Sequence, residues 1–113
     1  MKINPQYSYG WEKLYSAVLS LAGSEPNIKK RLISAYVNSL ICIREENLPE
    51  ELWEKLEKIS EELTKAEKWD EEEGRVKASV DLLDEIEVSR LVDEIVGLYG
   101  DICSVYKIHK ITM

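Results

Sequence analysis

The stretch PNIKKRLISAYVNSLICIRE, residues 26–45, decides the fold. Ile28, Leu32, Tyr36, Leu40 and Ile43 recur at helical spacing and form one apolar stripe, and Ile33, Val37 and Ile41 form a second beside it. The spacing predicts a helix over 26–45 with two apolar faces, covered by neighbours on both sides, with Leu32, Tyr36 and Leu40 nearly buried. Its charges oppose the macrodipole. Lys29, Lys30 and Arg31 crowd the first turns, and Glu45 and Glu46 sit at the end, each placement costing a few tenths of a kcal/mol. Either tertiary partners offset that cost or the basic end has a task, such as holding an anion at the free N–H groups of the helix start.

Upstream, Trp11, Leu14, Tyr15, Val18, Leu21 and Ala22 make a stripe that starts a helix near Tyr9. Pro5 opposes helix, so residues 1–8 are expected as a loosely ordered arm. Gly23 suits a left-handed cap after that helix. Downstream, Asn47, Leu48, Pro49, Glu50 and Glu51 form a helix start, because proline fits a first turn and acids favour its positive end. The stripe Leu52, Leu56, Ile59 and Leu63 carries this helix to about Ala66, supported by Glu51–Lys55, Glu54–Lys58 and Glu61–Lys65 pairs.

Residues 75–82 alternate, with Val76, Ala78, Val80 and Leu82 between Arg75, Lys77, Ser79 and Asp81, which is the pattern of a half-buried strand. A lone strand needs a partner, so a short extended segment packed on the helices is expected. Asp84 and Glu87 resemble a capping box. Val88, Leu91, Val92, Ile95, Leu98, Tyr99 and Ile102 then line one face of a last helix, followed by a loose arm at 107–113. Gly97 and Gly100 each cost ~1 kcal/mol there against alanine. They are expected at a close helix approach, within the chain or across the two-fold axis of a homodimer. The reading is all-α: a single-domain bundle of four helices over 1–113, with an extended segment near 75–82.

The chain has 113 residues, 44% hydrophobic and 33% charged, with formal net charge −7. That apolar content is too high for a disordered chain, and no apolar run approaches the ~18 residues of a membrane span. Residues 1–10 lack the apolar core of a secretory signal. Two cysteines and one histidine do not make a Cys/His zinc site or a disulfide framework. An acidic chain lacks the basic footprint of a nucleic-acid binder. Charge is unevenly spread. Residues 1–44 hold six bases against two acids, residues 45–104 seven bases against twenty acids, and Lys107 and Lys110 follow. Such asymmetry serves internal complementarity between early and late helices, or an acidic surface that meets a basic protein.

The run SEPNIKKRLISAYVNSLICIREENLPEELWEKLEKISEELT at 24–64, with SRLVDEIVGLY at 89–99, resembles small stand-alone all-helical bacterial proteins of unassigned function. The resemblance covers roughly two thirds of the chain and rests on packing and capping residues. It implies a bacterial cytoplasmic protein and brings no catalytic residue.

Chemistry-bearing constellations are sparse. Asp81, Asp84, Glu85 and Glu87 cluster before the last helix, and Glu51 and Glu54 form an ExxE. All-α nucleotide pyrophosphatases pair an ExxE with an ExxD, but position 90, three before Asp93, is Arg90. Mg²⁺ usually needs only one or two carboxylates plus substrate phosphates, so a Mg-dependent nucleotide hydrolase using helix carboxylates stays as the alternative function. His109 stands in the tail without a positioned second group. Cys42 and Cys103 lie on apolar stretches, where thiols act as small hydrophobes. No phosphate-binding or dinucleotide fingerprint is present, so no cofactor is expected. Trp11 falls on a core stripe. Trp53 flanks one, and Trp69 precedes the acidic run Asp70, Glu71, Glu72 and Glu73. Tryptophan anchors interfaces. The expected function is thus a small acidic interaction module (an immunity protein, an antitoxin-like inhibitor or a regulatory subunit). It would bind a basic protein through Trp53, Trp69 and the run 70–73, with Lys29, Lys30 and Arg31 as an anion site.

Overall fold

Among the described residues the chain forms five α-helices in a computed structural model: α1 (Pro5–Leu21), α2 (Ile28–Asn38), α3 (Glu50–Leu63), α4 (Glu72–Asp81) and α5 (Glu85–Thr112). Two 3-10 turns, Leu40–Cys42 and Glu45–Asn47, bridge α2 to α3. The structure describes residues 4–66 and 72–112, and the side chains of 4–66 and 74–105. The all-α reading holds, with five helices instead of four. The helices close a ring in the order α1, α2, α4, α3, α5 around one core. At a rise of 1.5 Å per residue α5 is about 42 Å long, and it spans most of the 46 Å length of the molecule. Leu32 and Tyr36 of α2 are 0 and 5% exposed, and Leu40, in the turn beyond the helix end, is 1% exposed. The α3 stripe Leu52, Leu56, Ile59 and Leu63 is buried too, as are Val88, Leu91, Ile95, Leu98 and Ile102 of α5.

The chain ends differ from the sequence reading. Pro5 opens α1 instead of opposing it, because a first helical position has no intrahelical use for an N–H. The Asn4 side chain caps the turn by accepting from the Gln6 amide (2.9 Å). Residues 5–8 are therefore helix, and α5 runs on to Thr112 where the sequence suggests an arm. Gly23 follows α1 without a positive φ. No left-handed cap is needed there, because Arg31 Nη1 donates to the Leu21 carbonyl (2.7 Å) and satisfies that helix end from another helix.

α2 stops at Asn38, seven residues before Glu45. The Ser39 hydroxyl is buried against the Ser16 hydroxyl of α1 (2.9 Å). From there the chain runs along α1 in short turns that send Leu40, Ile43 and Leu48 inward and leave Ile41 exposed. Asn47 locks this segment. Its Nδ2 donates to the Gln6 carbonyl (3.2 Å), and its Oδ1 accepts from the Arg44 amide (2.8 Å). Glu45 and Glu46 thus head a separate turn and do not burden the end of α2.

The extended segment near 75–82 is helical instead: those residues belong to α4 and the turn after it. The buried positions are Val76, Ser79, Val80 and Leu83, a helical spacing, while Leu82 is 70% exposed. Ser79 hid the period, because it occupies an apolar slot while remaining polar in sequence. Its hydroxyl donates to the Arg75 carbonyl (2.8 Å) and accepts from the Ala66 amide (2.9 Å), so it is fully satisfied and joins α4 to the end of α3. Ser79→Ala should lower the unfolding free energy by about 1–2 kcal/mol, since the Ala66 amide loses its partner. Unchanged urea unfolding would mean that water replaces the hydroxyl.

α5 begins as the sequence predicts. The Asp84 carboxylate accepts from the Glu87 amide (2.8 Å), and Glu87 Oε1 accepts from the Asp84 amide (3.1 Å). Across the seam with α3, Arg90 holds Glu62 with two bonds (3.0 and 2.9 Å) and its own-helix neighbour Glu94 (3.0 Å). Hydrogen bonds to Glu62 and then Glu94 push the Arg90 pKa up. Gly97 and Gly100 are exposed, and a Cβ at either would meet nothing within 4 Å. The close approach expected of them within the chain does not occur among the described residues. The glycine that does permit one is Gly10, buried beneath Asn47 and Leu48.

Candidate functional site

The basic cluster at the start of α2 serves the ends of other helices. Arg31 reaches the last carbonyl of α1, as described, and Lys29 Nζ lies 3.4 Å from the Asp81 carbonyl at the end of α4. Cations at helix C-termini are favourable by about 0.3–1 kcal/mol each. The unfavourable placement on α2 is thereby offset by favourable placements on α1 and α4. Asn27 caps α2 by accepting from the Lys29 and Lys30 amides (2.9 and 3.3 Å). Among the predicted anion-site residues, Lys30 alone is exposed with no hydrogen bond or ion pair at its side-chain nitrogen among the described residues.

Trp69, Asp70 and Glu71 lie outside the described residues. Glu72 and Glu73 are the first two residues of α4, and their side chains lie outside the described set. Trp53 is half-buried and packs on the core from the edge of α3. Next to it runs a feature that the sequence reading missed. Glu50, Glu54, Glu57 and Glu61 recur at i, i+4, i+7 and i+11, all exposed along the outward face of α3. None has an ion-pair partner among the described residues. The expected Glu54–Lys58 and Glu61–Lys65 pairs do not form, and Lys55 turns from Glu51 to Asp101 of α5 (3.1 Å). The spacing was legible in sequence, but pairing each acid with the lysine four residues on concealed the row.

The carboxylates before α5 are occupied locally: Asp81 binds Lys77 (2.8 Å), and Asp84 and Glu87 cap the helix. Among the described residues no group of three or more His, Cys, Asp or Glu side chains converges as metal ligands do. Cys42 and Cys103 are free thiols, each half-buried. The side chain of His109 lies outside the described set. Trp11, expected in the core, stands at the α1–α5 seam in an aromatic cluster. It stacks on Tyr15 (5.5 Å, 6° between planes), and both meet Tyr99 (6.3 and 5.8 Å). A hydrogen bond with Cys103, then burial, pushes the Tyr99 phenol pKa up.

Compared with protein-family models, curated proteins and solved structures, the chain matches none.

Proposed function

We propose that the protein is a small interaction module that binds a basic protein partner through the outward face of α3, with Trp53 as its aromatic anchor. The observation that carries this reading is the unpaired row Glu50, Glu54, Glu57 and Glu61. Like charges three and four residues apart on a helix destabilise it by about 0.2–0.5 kcal/mol per pair. No ion pair with a described side chain holds them. A row that costs stability and makes no ion pair among the described residues suits an external cation surface, which it steers by long-range attraction. An immunity protein, an antitoxin-like inhibitor or a regulatory subunit fits this description, in the bacterial cytoplasm that the resemblance implies.

The test begins with affinity capture on the wild-type chain, followed by stopped-flow association of the captured protein at two salt concentrations. Replacing all four glutamates by glutamine should slow association by about 10–100-fold at low salt and flatten its salt dependence. The same variant should unfold at a slightly higher urea concentration, because three like-charge contacts are relieved. Trp53→Ala should mainly speed dissociation. A quadruple variant that associates at the wild-type rate sinks this reading.

A further inference from the structure

We infer that the groove between α3 and α5 binds a free α-amino acid with an aliphatic side chain, its carboxylate on Lys58 and its ammonium on the carboxylates of α5. The seam of these two helices is a ladder of opposite charges. Arg90 of α5 holds Glu62 of α3 towards one end, and Asp101 of α5 holds Lys55 of α3 towards the other. The two rungs run antiparallel. Lys58, one turn on from Lys55, therefore stands level with Gly97, one turn back from Asp101, and both line the same groove. No rung forms there. Lys58 makes no ion pair among the described residues, and Gly97 has no side chain to offer one.

Where the rung is missing, the seam opens into a cavity of about 340 Å³. That lies within the roughly 300–1,000 Å³ of small-molecule sites. Lys55 and Lys58 form one wall, and Glu94 and Asp101 form the other, one turn to either side of Gly97. Ile59 and Leu98, both buried in the core, close the floor. A Cβ at Gly97 would meet nothing within 4 Å, so the missing side chain is open space that a ligand can take.

Charge selects the occupant. The two cations and two carboxylates of the lining cancel, but they are not equally committed. Asp101 gives Oδ2 to Lys55 (3.1 Å), and Glu94 gives Oε2 to Arg90 (3.0 Å). The other oxygen of each accepts no hydrogen bond among the described residues. The groove thus presents one uncommitted ammonium on α3 and two uncommitted carboxylate oxygens on α5. A bare anion at Lys58 is repelled by Glu54 and Glu61, each one turn away, and by the net charge of −7. A bare cation on α5 is repelled by Lys58. A molecule with an ammonium and a carboxylate on one carbon satisfies both walls without adding net charge. Its charge-assisted hydrogen bonds are the strong kind, and they aim an aliphatic side chain at the floor over Gly97. Trp53 and the outward glutamate row take no part in this site, so it stands independently of the function proposed above.

Amide chemical-shift titration of the full chain with leucine tests this, beside isocaproate, which lacks the ammonium, and isoamylamine, which lacks the carboxylate. Leucine should shift the Lys58, Gly97 and Leu98 amides saturably, and each one-charge analogue should bind at least about tenfold more weakly. Gly97→Leu fills the cavity at a position with room for a side chain, so it should keep the wild-type circular dichroism spectrum and lose leucine binding. Lys58→Met keeps an unbranched stem and drops the charge, and should weaken binding about tenfold. The absence of a saturable shift at those amides up to the solubility of leucine overturns the proposal. So does an analogue that binds as tightly as leucine, or a folded Gly97→Leu chain that binds it as wild type does.

Discussion

Leu40→Ala should lower the unfolding free energy by about 2–5 kcal/mol, the range for a fully buried leucine whose cavity only partly collapses. Leu40 is 1% exposed and opens the 3-10 turn that follows α2. With a urea slope of about 1–3 kcal/mol per molar, the unfolding midpoint should fall by roughly 1 M or more. Its neighbour supplies the contrast. Were α2 to continue to Glu45, Ile41 would extend the stripe of Ile33 and Val37 and be covered. In the structure the helix ends at Asn38 and Ile41 is exposed, so Ile41→Ala should cost well under half as much. Comparable losses from the two substitutions would mean that the chain continues as helix through 41, and that the turns along α1 are wrong.

That pair of neighbours also marks how far the sequence could be read. Stripes of large aliphatic residues were legible wherever the buried positions were themselves apolar, as in α3 and α5, because helical periodicity and burial are then the same signal. The capping box at Asp84 and Glu87 was legible because both partners are local. The misreadings arose where a polar residue takes a buried slot and finds its partner far along the chain. Ser79 bonds to Ala66, so residues 75–82 lost their helical period and read as a strand. Ser39 bonds to Ser16, so the end of α2 was invisible. Arg31 binds Leu21 and Lys29 approaches Asp81, so charges that look misplaced on their own helix are well placed on two others. Long-range hydrogen bonds leave no local trace in composition or spacing. The glutamate row on α3 is the opposite case: its spacing is local, and a rule about neighbouring lysines obscured it.

The glycines carry the same lesson into a measurement with opposite signs. Gly10 sits in α1, where alanine is the better helix former by ~1 kcal/mol, so local propensity alone predicts that any side chain there stabilises the helix. The structure predicts the reverse. A Cβ at Gly10 collides with the Asn47 carbonyl oxygen and comes within 2.9 Å of Leu48 Cδ2. The first of these is backbone. Asn47 is held in place by its bonds to Gln6 and Arg44, so it cannot retreat cheaply. Gly10→Val should therefore cost about 3 kcal/mol through overpacking and displacement of the 45–48 segment from α1. Gly97→Ala and Gly100→Ala, with open space around both, should instead gain about 0.4–1 kcal/mol each by restricting the unfolded chain. Urea unfolding measures all three. If Gly10→Val proves as stable as wild type, the Asn47 turn does not pack on α1 as described. The route by which the chain passes from α2 to α3 would then have to be redrawn, and with it the burial of Leu40 and Ile43.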